Sequence, residues 1–90
     1  MQFFWDPNKA RSNVLKHGVS FVEATSALCD PLSITGYDPD HSTDEDRYVT
    51  FGQDNQCRLL VVSHTEESNK IRIISCRSAT LKERKIYETA

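Results

Sequence analysis

The sequence predicts an α+β fold in which an antiparallel meander of three strands follows two helices and precedes a third. Three observations carry this. Residues 47–77 divide into three strand-like runs separated by two short polar stretches of hairpin length, Asp54-Asn55-Gln56-Cys57 and Glu66-Glu67-Ser68-Asn69. Two helical segments ahead of them carry start and stop signals. The last run, Lys70–Arg77, is rich in β-branched residues and feeds a helix opened by Thr80 and Glu83, a pair spaced as a capping box. Ninety residues, 38% hydrophobic and 27% charged, predict one soluble domain over 1–90, because a chain this short has no room for a second core.

Gln2 to Trp5 reads as a short aromatic edge strand. At Asp6-Pro7 the Asp can cap a helix whose first position tolerates the missing proline N–H. That helix runs through Ala10, Val14 and Leu15 to Lys16-His17-Gly18, where cations oppose the dipole and Gly supplies the left-handed end. Ser20 and Glu23 open a second helix with Phe21, Ala24, Thr25 and Leu28 as its apolar stripe, and Asp30-Pro31 closes it. Residues 31–36 predict a short strand.

Asp38 to Asp46 holds five acids, one His and no large apolar residue. Several carboxylates can bind a hard cation, but the spacing matches no EF-hand loop, so the segment reads as a solvated loop and no metal is expected. Strands follow at Arg47–Gln53, Arg58–Thr65 and Lys70–Arg77. With Gly52 opposite Arg58 and Thr65 opposite Lys70, Arg47, Ser63 and Arg72 share one face. Tyr48, Val62, Ile73, His64, Ser75 and Arg77 then fall on the other, giving each face an arginine. The two N-terminal helices should cover one face and leave the other as a shallow basic groove.

No run approaches the roughly 18 apolar residues of a membrane span, and the N-terminus lacks the features of a signal peptide, which predicts a cytoplasmic protein without membrane contact. Cys29, Cys57 and Cys76 form an odd, widely spaced set that reads as free thiols, with Cys29 and Cys76 packed and Cys57 in a turn. Six Lys and Arg lie between Lys70 and Lys85 against one acid, Glu83, in a chain of net charge −2. Setting aside the five acids of 38–46 leaves 8 acids against 11 bases. A local field of this kind attracts phosphate whatever the net charge of the chain.

Several blocks, in order along nearly the whole chain, resemble the BrnT family of bacterial toxins in the RelE-like ribonuclease superfamily. They are Trp5-Asp6-Pro7-Asn8-Lys9-Ala10, Asn13 with Lys16-His17-Gly18-Val19-Ser20-Phe21, Asp30-Pro31-Leu32, and Arg58–Val62 with His64-Thr65. The last is Ile71–Arg77 with Ala79-Thr80, Glu83-Arg84 and Tyr87. The resemblance implies a twisted antiparallel sheet of RelE-like type and an endoribonuclease that cuts RNA, at the ribosome or free, and halts growth. It also implies a BrnA-type antitoxin with a DNA-binding domain, and a higher-order complex built on an antitoxin dimer. The chain departs from the family pattern at Glu66-Glu67 and at Ser78, where basic residues are usual, and both changes weaken the positive field.

RNA cleavage without a metal or other cofactor needs a base near the ribose 2′-OH, an acid near the departing 5′-oxygen, and cations where charge builds on phosphorus oxygens. His64 and His17 are the candidate proton carriers. Arg72 and Arg77 are the candidate phosphate grips, with Lys16, Arg47, Arg84 and Tyr87 supporting RNA binding. Each also has a structural reading: His17 as a helix-end cation, His64 as a hydrogen-bonded strand residue, the arginines as ion-pair partners, and Arg84 and Tyr87 as docking for the last helix. Ser63 and Ser75 lack a triad pattern, and His41 reads as solvated. A groove that serves RNA would also suit antitoxin docking. The alternative is a non-catalytic binding module whose basic surface meets an acidic protein.

Overall fold

A computed structural model describes all 90 residues, Met1–Ala90. Strand β1 (Gln2–Phe4) leads into helix α1 (Pro7–His17), which begins where the Asp6 carboxylate accepts the Asn8 N–H at 2.8 Å. It ends at Gly18, whose φ of 70° lets its N–H return to the Val14 carbonyl. Helix α2 (Phe21–Leu28) opens on the capping box of Ser20 and Glu23, and strand β2 (Ile34–Tyr37) follows. After a 3-10 turn at Pro39–His41 come β3 (Tyr48–Gln53), β4 (Leu59–Glu67) and β5 (Lys70–Ser78). The β4–β5 turn is tighter than the predicted four-residue loop, because Ser68 and Asn69 both take positive φ, 50° and 66°. Helix α3 (Leu81–Thr89) starts at the capping box of Thr80 and Glu83.

The five strands are ordered β1-β5-β4-β3-β2. All neighbours are antiparallel except β1 and β5, so the sheet is mixed at the edge where β1 lies. α1 packs on β5, and α2 on β3, β4 and β5. Val19, Phe21, Ala24 and Ala27 meet Leu60, Val62, Ile71, Ile73 and Cys76 beneath the helices. Gly52 lets α2 approach closely: a Cβ there would sit 2.1 Å from the Ala27 carbonyl oxygen.

Three local expectations change. The residue that α1 buries is Asn13, while Val14 is half-exposed and Leu15 is 89% exposed. Asn13 Nδ2 donates to the carbonyls of Val19 and Cys76, and its Oδ1 accepts the Cys76 N–H. Cys29, at the C-terminus of α2, is exposed rather than packed. The register also moves, with Gln53 opposite Leu59 and Glu67 opposite Lys70.

A shift of two residues keeps every side chain on its face, and a bulge is what redistributes the faces. Ser63 pairs with Ser75, yet the next residue, His64, pairs with Ile73, so Ile74 is an extra residue in β5. This bulge reverses the alternation beyond it. Ser75 and Arg77 turn to the face opposite the helices, where Arg72 already lies. The expectation of an arginine on each face is overturned: Arg72 and Arg77 both belong to the open face.

Candidate functional site

The open face holds a groove of about 360 Å³. Val49, Val61 and Ile74 form its apolar part, and Arg47, Ser63, Ser75 and Arg77 bring polar groups to it. Asp38 and His41 complete it from the acid-rich segment, which folds back over the sheet. The fold-back is held by Ser42, whose Oγ accepts the Arg47 N–H at 2.9 Å and donates to the Asp38 carbonyl. Asp38 N–H also bonds the Arg47 carbonyl. The segment read as a solvated loop is therefore one wall of the groove.

Within it, His41 Nδ1 lies 2.8 Å from Asp38 Oδ2, the two residues being one 3-10 turn apart. This contact leaves Nε2 available, and the imidazole is 68% exposed at the groove's mouth. Arg77 faces it with a two-point ion pair to Glu83, Nη1 to Oε1 and Nη2 to Oε2, both 2.8 Å. Nη1 also donates to the Ser78 carbonyl. Three of the five guanidinium N–H donors are thus engaged and two remain for a ligand. The bond from Arg77 holds the Glu83 carboxyl down at about 2. Arg47 has its Nε buried without a hydrogen-bond partner.

The other predicted residues scatter. His64 is fully buried on the helix side, its Nε2 2.7 Å from Thr50 Oγ1 and its ring stacked on Tyr48, and burial lowers its pKa. It stands on the far face of the sheet from Arg77. Lys16 and His17 end α1 in the helix layer, also across the sheet from the groove. Tyr87 donates to Asp30 Oδ2 at 2.5 Å, and that bond pushes the phenol up to about 12. Since Asp30 Oδ2 also accepts the Gln53 N–H, Tyr87 anchors α3 to the ends of α2 and β3. Arg84 is exposed on α3. Arg72 lies on the groove's face but beyond its edge, paired with Glu45.

The structure thus brings Arg47 and Arg77 together, sets Arg72 beside them, and puts His64, His17 and Lys16 across the sheet from all three, while Tyr87, one turn beyond Glu83 on α3, is engaged by Asp30. Sequence reading missed Asp38 and His41 as a pair. The Asp-x-x-His spacing was the available signal, because three residues bring side chains together on any helical turn. An imidazole oriented by a carboxylate beside two guanidinium groups can move a proton and stabilise charge on phosphate.

A family model described as "Ribonuclease toxin, BrnT, of type II toxin-antitoxin system" matches residues 5–83. Among solved structures, the chain is similar to the ribonuclease toxin BrnT of Brucella abortus, at 28% identity and a TM-score of 0.64. The match covers 89% of this chain and 97% of that one. No curated protein sequence matches.

Proposed function

Because the chain belongs to the BrnT family of ribonuclease toxins of type II toxin–antitoxin systems, we propose that RNA is cut in the groove between Arg77, Arg47 and the Asp38–His41 pair. Membership makes the chain a ribonuclease toxin with an RNA substrate and a cognate antitoxin. The observation that carries the placement is the convergence of two guanidinium groups and a carboxylate-oriented imidazole on one open cleft. No helix is long and apolar enough to cross a membrane.

In this reading a phosphate sits on the free donors of Arg77 and on Arg47, where a planar fork matches its oxygens. Asp38 holds the His41 ring so that Nε2 can take the proton of the ribose 2′-OH as that oxygen attacks phosphorus. The arginines stabilise the charge gathering on the phosphorus oxygens while the P–O5′ bond breaks, leaving a 2′,3′-cyclic phosphate on one product, and the departing 5′-oxygen takes its proton from water in the open cleft. Glu83 fixes the Arg77 fork, and Arg72 and Arg84 extend the basic surface for the rest of the strand. The chemistry uses side chains alone and needs no metal. The 90 residues act as one toxin domain, growth stops as RNA is lost, and a BrnA-type antitoxin inhibits by covering the groove.

The test is cleavage of labelled RNA by the purified protein in the presence of a chelator. Wild type is expected to cut, while Arg77→Ala and His41→Gln remain folded and bind the antitoxin but do not cut. Cleavage lost on chelation would overturn the metal-free mechanism. Undiminished cleavage by Arg77→Ala would overturn the groove as the site. Antitoxin binding without cleavage by the wild type would favour a binding module instead.

A further inference from the structure

Beside the groove, on the same face, lies a second hollow of about 350 Å³ lined by Phe4, Lys70 and Arg72, by the carboxylates Glu45 and Glu67, and by Thr65 and Ser68. β1 and β5 set its walls: Phe4 pairs with Arg72 in parallel register, which puts both side chains on one face, and Lys70 stands two residues before. Phe4 is 49% exposed, an aromatic surface next to two cations. Aromatic rings flanking basic side chains are how proteins hold single-stranded nucleic acid, the ring stacking a base while the cations follow the backbone.

One Glu45 oxygen, Oε1, sits between two guanidinium groups. It hydrogen-bonds Arg72 Nη2 and lies 3.7 Å from Arg47 Nη2. An anionic oxygen between two forks is the charge arrangement of a bound phosphate oxygen. Glu45 belongs to the irregular stretch between the 3-10 turn and β3, and its side chain is 39% exposed, so the ion pair is weak in water and open to exchange. Arg47 joins the two hollows: it lines the groove, shares Glu45 with Arg72, and keeps a buried Nε with no partner.

We propose that the hollow of Phe4, Lys70 and Arg72 is a second nucleotide subsite for single-stranded RNA, in which the Glu45 carboxylate holds a phosphate's place until the RNA displaces it. This rests on the groove being the RNA site. Arg72 pairs with Thr65 and Arg77 with Val61, four residues apart on β4, or about 13 Å. Arg77 is tied to Glu83 in the groove and Arg72 to Glu45 in the hollow, so the subsite takes a neighbouring nucleotide of the strand whose scissile phosphate lies at Arg77. Base stacking on Phe4 tolerates any base, which makes the subsite a determinant of substrate length more than of sequence.

The probe is a fluorescent 2′-O-methyl RNA oligonucleotide, which lacks the attacking hydroxyl and so reports binding alone, followed by anisotropy across a salt series. Glu45→Gln is expected to tighten binding about two- to fivefold, the effect of one exposed ion pair removed from competition. Asp44→Asn, the same charge change one residue away, should do much less. The gain should vanish in Glu45→Gln/Arg72→Gln, and Arg72→Gln alone should lower the salt slope by about 0.7, one single-strand phosphate. Phe4→Ala should weaken binding without changing that slope. A Glu45→Gln no tighter than Asp44→Asn, or a gain that persists without Arg72, overturns the subsite. If Arg77→Ala still weakens binding in that case, the groove stands and only the subsite falls. If Arg77→Ala binds as wild type does, the groove reading falls with it. Thermal melts of each variant separate a lost contact from a lost fold.

Discussion

Glu83 holds Arg77 at two points while its own Oε1 also accepts the Thr80 N–H that starts α3, so one carboxylate caps a helix and orients the groove's guanidinium. A half-buried capping carboxylate with two roles ties the site's geometry to the integrity of the last helix.

That dual role has an acid signature. Glu83 is held at about 2, below its ordinary 4.5. A depressed carboxyl contributes stability that is complete above the unfolded value and is lost as pH falls through the folded one. Wild type should therefore lose stability between about pH 4.5 and 2, and Glu83→Gln should start lower and show a flatter decline over that range. Circular-dichroism melts at several pH values check both.

Arg77→Ala and His41→Gln should each lower the cleavage rate by about 100-fold or more, the loss typical of removing one preorganised charge-stabilising donor or proton carrier. His41 is exposed, so His41→Gln should shift the melting temperature by no more than a few degrees, while Arg77→Ala also removes the ion pair that depresses Glu83 and should lower it further with the fold retained. Single-turnover cleavage beside a thermal melt of each variant reads the two effects separately.

His64→Gln should behave in the opposite way, with stability falling by roughly 2–3 kcal/mol as the stack on Tyr48 and the bond to Thr50 are lost. Cleavage per folded molecule should stay within a few-fold of wild type. Burial depresses this imidazole's pKa below its ordinary 6.5, so folding favours the neutral ring. Its contribution is full above about pH 6.5 and declines as pH drops below that value. Urea titrations at pH 7.5 and 5.5 should show a drop for wild type that His64→Gln lessens.

Asn13→Ala should cost about 2–4 kcal/mol, since it strips partners from the buried N–H and C=O of Cys76 and from the Val19 carbonyl. Asn13→Leu should do no better, because a larger apolar side chain leaves the same backbone groups unpaired. Denaturant midpoints of the two variants test this. Because Cys76 precedes Arg77, both should also lose cleavage activity beyond what their unfolded fraction explains.

Local signals were legible wherever a residue's role is set by its near neighbours. Asp6-Pro7, Gly18, and the pairs Ser20/Glu23 and Thr80/Glu83 mark helix ends through bonds within four residues, and all act as read. Three strands in meander order followed from short polar loops, and the blocks of family resemblance pointed to the BrnT toxins that the family match supports. Tertiary structure decided the rest. The Ile74 bulge depends on how β5 meets β4 and the helices above it, and it alone brings Arg77 to the face of Arg72. His64 is buried and His41 is at the groove because packing, not residue type, sets which imidazole water reaches. The acid segment became a wall because Ser42 and Arg47 close it on the sheet, a contact between a loop and a strand edge that no periodicity encodes.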